Sequence, residues 1–174
     1  HSFPTTTSSD SDDFKTLGKF DRIIFADVLE HLVDPVATLK KVKKLLTPGG
    51  KVLFSIPNMA HMGTRLMLLD GKFGYGETGL LDKTHLHFYD ETEVRRIFTD
   101  AGLKIDNLDW TDYYIPRKEV EAKLAETGLK PTRQFYNNSK QVSAVALQYV
   151  GSATEDSEAS SPELPAMSPW VNKT

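Results

Sequence analysis

Cysteine is absent from the 174 residues of this chain. That excludes disulfides, zinc–thiolate sites and thiol nucleophiles, and it fits a reducing cytosol, so a cytoplasmic location is expected. Long apolar runs are missing as well. None approaches the roughly 18 residues of a membrane span, and no signal peptide is recognisable, so no membrane partner is expected. Charge of one sign is also lacking. A formal net charge of −3 supplies neither the basic field that holds nucleic acid nor one that docks on an anionic membrane. No glycine-rich loop precedes Phe20, which argues against a dinucleotide-dependent oxidoreductase.

What is present is ordinary globular material. Hydrophobic residues make up 39% and charged residues 26% of the chain, enough to bury one core beneath a solvated surface. Residues 1–13, HSFPTTTSSDSDD, are expected to form a disordered lead-in, and residues 151–174, rich in Ser, Glu and Pro, a disordered tail. Neither can bury enough apolar surface to offset the entropy of ordering. The folded part is then 14–150, without internal repeats.

Phe20 to Asp27, FDRIIFAD, reads as a short buried strand. Asp34 caps a helix beginning at Pro35, whose stripe is Val36, Leu39, Val42 and Leu46, and Pro48-Gly49-Gly50 stops it. KVLFSIPN is a second strand, ended by Pro57. Strand, helix and strand in this rhythm make a βαβ unit with parallel strands. NMAHMGTRLMLLDG suggests a helix, and the glycine-rich run at 72–79 suggests a loop with unusual backbone angles. Asp90 and Glu93 form a capping box for a helix over 91–101, closed by Gly102. A strand near 103–115, a helix over 116–126 and a last strand at 141–150 complete an α/β alternation. Trp110, Tyr113 and Tyr114 are read as packing residues. In such sheets ligands sit beyond the carboxyl ends of the strands. The titratable stretch ADVLEH, residues 26–31, lies at one such end.

The run FDRIIFADVLEHLVDPVATLKKVKKLLTPGGKVLFSIPN resembles the second half of class I S-adenosylmethionine-dependent methyltransferases, in the group related to ubiquinone-biosynthesis and type 11/12 enzymes. The carrying motifs are VLEHL with the following DP, and LLTPGGKVLFSIPN; residues 58–105 resemble the acceptor-side insert and next helix, so about 20–150 is covered. The resemblance implies a Rossmann-like sheet with a carboxy-terminal antiparallel hairpin, of which this chain is the carboxy-terminal half. It implies S-adenosyl-L-methionine as cofactor, with Ala26, Asp27 and Val28 lining its methionine and methyl end. The family's glycine-rich cofactor loop and ribose-binding acid have no counterpart in the sequence, so the isolated chain is expected to be inactive.

Methyl transfer from a sulfonium needs alignment, exclusion of water and, for a hydroxyl acceptor, a general base. Candidate bases are His31, His61 and His85; candidate acceptor contacts are Asn58, Arg65, Asp82 and His87. Each has a plainer reading beside the chemical one. Asp27 caps a turn; His31 and its neighbour Glu30 fix a loop; Asn58 ties the strand end; the cluster of 61–87 pins the glycine-rich segment. Asp82-x-x-His85-x-His87 also has the look of a metal triad, but an acceptor pocket is preferred and no metal is assigned. Two functions follow. One is a methyltransferase, or part of one, acting on a small-molecule or sugar-like acceptor. The other is a non-catalytic half-domain that completes a sheet with another chain. The strand at 20–27 would present an open apolar edge, so self-association is expected.

Overall fold

The computed structural model describes residues 17–156. The lead-in expected at 1–13, and the tail from 157 onward, lie outside the described residues.

Strand β1 is Phe20–Ala26. Ile23 and Phe25 are buried, whereas Arg22 and Ile24 on the alternate face are exposed, so the strand is buried on one face and not on both. A single 3-10 turn, Leu29–His31, leads into helix α1, Pro35–Lys43. The Asp34 carboxylate accepts from the Ala37 amide at 2.8 Å, and Pro35 occupies the first turn, where its missing amide is no loss. The helix ends at Lys43, before the expected Pro-Gly-Gly stop. Leu46 instead opens strand β2, Leu46–Pro57. The parallel register jumps from Phe20–Leu46 to Arg22–Lys51, so Thr47–Gly50 bulges out of the ladder.

Helix α2 is Met62–Leu69 and helix α3 is Glu91–Asp100. Asp90 caps α3 by accepting from the Glu93 amide at 2.9 Å. Strand β3 follows at Leu103–Asp112 and helix α4 at Arg117–Glu126. Two short helices precede strand β4, Ala146–Glu155: α5 at Arg133–Asn138 and α6 at Val142–Val145. Helix α6 occupies ground where strand was expected, and α5 falls between the expected elements.

The sheet order is β1-β2-β4-β3, with β4 antiparallel to both neighbours. The chain is thus α/β with the expected closing antiparallel hairpin. Helices α1 and α3 cover one face of the sheet: Leu39, Val42, Val94, Ile97 and Phe98 pack on Phe25, Val52, Phe54, Ile56 and Tyr149. Across the opposite face run Ile24, Leu53 and Val150, and Ile24 remains 62% exposed. A smaller cluster joins Met62 and Leu66 of α2 to Val120, Leu124 and Ala144. It lies toward the end where β1, β2 and β3 finish and β4 begins, since Pro57 pairs with Gln148 and Asp112 with Ala146.

Two expectations change. Trp110, Tyr113 and Tyr114 are 39%, 60% and 65% exposed, so they are not core packing. The domain boundary at 150 also fails, because β4 continues to Glu155. Gly151 is an interior strand position. A Cβ there would stand 2.6 Å from the Asn107 carbonyl oxygen and 2.6 Å from Cζ of Phe54. Backbone and a buried ring close that space from two sides. Gly151→Ala should therefore destabilise the chain by about 1–3 kcal/mol in denaturant titration, an overpacking effect. A tail residue would tolerate the change with no measurable loss.

Candidate functional site

At the carboxyl end of β1 the chain breaks a local rule. Asp27 has φ 50°, and it is the one non-glycine residue with positive φ among the described residues. The left-handed region costs an L-residue about 1–2 kcal/mol, though Asp tolerates it better than most. The corner is held by hydrogen bonds. The Asp27 amide donates to the Ser55 carbonyl at 3.2 Å and approaches Ser55 Oγ at 3.1 Å. Its carboxylate accepts from Ser55 Oγ at 3.0 Å and from Gln148 Nε2 at 2.8 Å. One side chain therefore ties β1, β2 and β4 together at the end where ligands bind in α/β sheets.

Three residues on, the 3-10 turn puts Glu30 inside. Its side chain is 1% exposed, and neither carboxylate oxygen has a hydrogen-bond partner among the described residues. His31 Nε2 stands 4.0 Å from Oε1. The Glu30 carbonyl accepts two amides, from Leu86 at 2.8 Å and from His87 at 3.1 Å. These bonds fasten the segment after the glycine-rich loop onto the end of β1. His85 comes to rest against His31, ring centroids 4.8 Å apart and edge to face.

The tautomers of both histidines follow from their partners. His31 Nδ1 lies 3.1 Å from the Thr84 carbonyl and 3.1 Å from Thr84 Oγ1. That hydroxyl spends its proton on Asp82 Oδ1 at 2.6 Å, so it faces His31 as an acceptor. His85 Nδ1 lies 3.2 Å from the Leu80 carbonyl. Both rings thus carry the proton on Nδ1 and keep the Nε2 lone pair unclaimed. Beside them Phe73, Tyr75 and Phe88 form an exposed aromatic group, and the ring of Phe88 is 6.5 Å from that of His85.

A methyltransferase-domain family profile matches residues 3–108, more than half of the chain. The chain belongs to the methyltransferase family. It is a partial domain of the class I, S-adenosylmethionine-dependent kind. A ubiquinone biosynthesis O-methyltransferase of Xanthomonas euvesicatoria pv. vesicatoria (strain 85-10) is 29% identical over 94 residues, 52% of this chain and 38% of the relative. One of that name from Idiomarina loihiensis (strain ATCC BAA-735 / DSM 15497 / L2-TR) is 31% identical over 85 residues, 49% of this chain and 35% of the relative. The match therefore spans well under half the length of these curated relatives. Among solved structures, magnesium protoporphyrin IX methyltransferase from Synechocystis PCC 6803 with bound SAH overlays with a TM-score of 0.46 at 18% identity, covering 83% of this chain and 49% of that one.

Within this partial methyltransferase domain the candidate residues separate into two sets. Ala26, Asp27, Val28, His31, Asp82 and His85 gather around the β1 corner. The others are occupied elsewhere. His61 is buried and caps α2: Nδ1 accepts from the Gly63 amide at 3.1 Å, and Nε2 donates to the Tyr113 carbonyl at 2.7 Å. Neither ring nitrogen is left to take a proton, and neither partner is shared with His31 or His85. Asn58, fully buried, donates to the carbonyls of Ser143 and Ala146 at 3.0 and 2.7 Å and accepts from the Ala60 amide at 2.9 Å. Arg65 donates to the Ala60 carbonyl at 2.6 Å and to Ser143 Oγ at 3.0 Å, and burial lowers its pKa; among the described residues no carboxylate pairs with it. Asp82 is kept ionised by Thr84, whose hydroxyl and amide hold its pKa below the ordinary carboxylate value. His87 turns to the Val33 carbonyl at 3.4 Å, away from His85. Sequence reasoning did not nominate Ser55, Gln148 or Thr84. Ser55 and Gln148 are polar residues on the solvent side of otherwise apolar strand ends, which is the one signal that points to them.

Burial is the main cause that pushes the Glu30 pKa from 4.5 up to about 7, and Asp27 adds to it. The sign follows by linkage: the folded state holds a proton that the unfolded state releases between those values, so stability falls as pH rises from 4.5 to 7. That shift corresponds to about 3 kcal/mol. With chelator present, Glu30→Gln should match its parent near pH 4.5 and exceed it by about 2–3 kcal/mol at pH 8 in denaturant titrations. A constant difference across the range would contradict the assignment.

Proposed function

We propose that this half-domain forms the methyl-donor end and the acceptor side of an S-adenosylmethionine cleft, and serves methyl transfer to a small-molecule or sugar-like acceptor. The observation that carries the reading is the unclaimed Nε2 lone pair of His85, held against His31 at the strand end that Asp27 forms. The residues present fit one side of the cofactor. Ala26 is exposed and small, which permits close approach, and the anchored Asp27 carboxylate offers negative charge toward a sulfonium. Ribose and adenine find no wall among the described residues, because no further strand or glycine-rich turn stands beside β1. When bound, the cofactor supplies an electrophilic methyl group. The chain's own part is to orient an acceptor, to take its proton at His85 Nε2, and to displace water with Phe73, Tyr75 and Phe88.

The test uses the chain as it is. Calorimetry should give a dissociation constant for S-adenosylmethionine of about 1 mM or weaker. Amide spectra with millimolar S-adenosylhomocysteine should shift at Ala26, Asp27, Val28 and Ser55, and Asp27→Ala should abolish those shifts. Shifts confined to other regions would overturn the site. Micromolar affinity would overturn the missing wall.

A second reading, a non-catalytic module that completes a sheet, is favoured by one feature. β1 is an edge strand of the described sheet, and its Ile24 side chain is 62% exposed. Light scattering should then show dimers or larger species, with Ile24→Lys shifting the population toward monomer. A stable monomer with sharp thermal unfolding would remove this reading. No helix among the described residues is long and apolar enough to cross a membrane.

A further inference from the structure

A cavity of about 290 Å³ opens between the start of α2, residues 114–117 and helices α4, α5 and α6. It stands beside the end of β3 and the start of β4, where the Tyr113 amide donates to the Val145 carbonyl at 2.9 Å. The order β1-β2-β4-β3 puts it toward the edge of the sheet opposite β1. None of its lining residues is shared with the corner of Asp27, His31 and His85. Met62, Ile115, Val120, Ala144 and Val145 give it an apolar lining, and Tyr114 and Tyr136 flank it. Arg117, Arg133 and Lys140 add three cations, and no carboxylate lines it.

The three cations are unequally answered. Arg117 Nε donates to Glu121 at 2.9 Å, and its guanidinium carbon lies 4.1 Å from the centre of the Tyr136 ring. The Tyr136 hydroxyl donates to the same carboxylate. These contacts clip α5 to α4, so one wall is set before any ligand arrives. Arg133 and Lys140 are exposed, and neither side chain has an ion pair or hydrogen bond among the described residues. On the other wall, His61 fixes the Tyr113 carbonyl, yet the next ring, Tyr114, is 65% exposed. An exposed ring over an apolar cavity, with two unanswered cations beside it, is completed by a ligand that is apolar at one end and anionic at the other.

We propose that this cavity binds a small aromatic anion, an aryl carboxylate or aryl phosphate. The ring lies on the apolar lining between Tyr114 and Tyr136, and the acidic group meets Arg133 and Lys140. At about 30 Å³ per non-hydrogen atom, the share of a molecule in liquid water, the cavity takes roughly ten such atoms. That is one ring with one acidic group, too little for a nucleotide. The cations also repel a sulfonium, so this is not a second place for the methyl donor. The proposal does not depend on the methyl-donor reading.

The experiment titrates benzoate and phenyl phosphate into the chain and follows its amide spectrum. The expected result is saturable shifts at Ile115, Val120, Ser139 and Ala144, with a dissociation constant of about 1 mM or tighter for at least one anion. Tighter binding of benzoate supports a carboxylate ligand, and tighter binding of phenyl phosphate supports a phosphate. Benzamide, which keeps the ring without the charge, and inorganic phosphate, which keeps the charge without the ring, should each bind about fivefold more weakly or worse. Arg133→Gln combined with Lys140→Gln should weaken binding about fivefold or more, and Tyr114→Ala about threefold or more. Lys130→Gln, an exposed cation outside the lining, should stay within about twofold of the parent. The altered side chains are all exposed, so the variants should fold. The absence of saturable shifts at about 10 mM of either anion overturns the site. So do shifts confined to other regions, benzamide binding as tightly as benzoate, or parental affinity in the double variant.

Discussion

The backbone carbonyl of Glu30 accepts the amides of both Leu86 and His87, and the site exists because of that pair of bonds. Without them the polar corner after β1 and the histidine-bearing segment after the glycine-rich loop would be separate surface features. With them, His85 is set against His31, and Thr84 is set where it decides the tautomer of one ring and the ionisation of Asp82. Tyr89 continues the attachment, since its carbonyl accepts from the Met59 amide just beyond β2. The long loop is thus laced to the carboxyl ends of two adjacent parallel strands. Its own backbone bonds, Gly76 to Leu81 and Lys83 to Gly76, close it internally, and the attachment sets where it sits.

The sheet explains why this corner is exposed. Helices α1 and α3 cover only one face, and the β1 edge has no neighbouring strand among the described residues. Parallel strands are normally buried on both faces. Here Ile24 projects into solvent from the uncovered face, and Asp27 sits at the open end of the same strand. One surface therefore combines unfinished apolar packing with an organised polar corner, which is what one wall of a larger cleft would present.

Much of this arrangement was legible in the sequence, and the failures have physical causes. The α1 start could be read because Asp34 and Pro35 act locally, through one carboxylate and one fixed φ. The α3 cap at Asp90 is local in the same way. The end of α1 was misread because Leu46 continues a helical stripe, yet the sheet claims it. The boundary at Gly151 was misread because glycine next to Ser resembles a linker, and only the approach of Phe54 and Asn107 shows why no side chain fits there. At the site, residue types were readable and partners were not. His61 and His85 look alike in sequence. What separates them is whether both ring nitrogens are bonded, and that depends on carbonyls at Tyr113 and Leu80, which no spacing rule identifies.

That difference is also the strongest physical ground for dividing structural from functional polar groups in this chain. Asn58, His61 and Arg65 are well satisfied, and their hydrogen bonds hold a helix and two strand ends in place. Groups of this kind repay their own desolvation, so they need no ligand to account for them. Asp27 and Glu30 behave otherwise. One holds a left-handed backbone and the other a buried carboxylate without a donor among the described residues, three positions apart on the same corner. Folding alone would remove both features, since glycine at 27 and glutamine or leucine at 30 would relieve them. Sequences that specify one structure satisfy their local rules nearly everywhere, and departures concentrate where a ligand is to be met. In this chain the departures fall together at the carboxyl end of β1, and the two histidines with free lone pairs stand beside them.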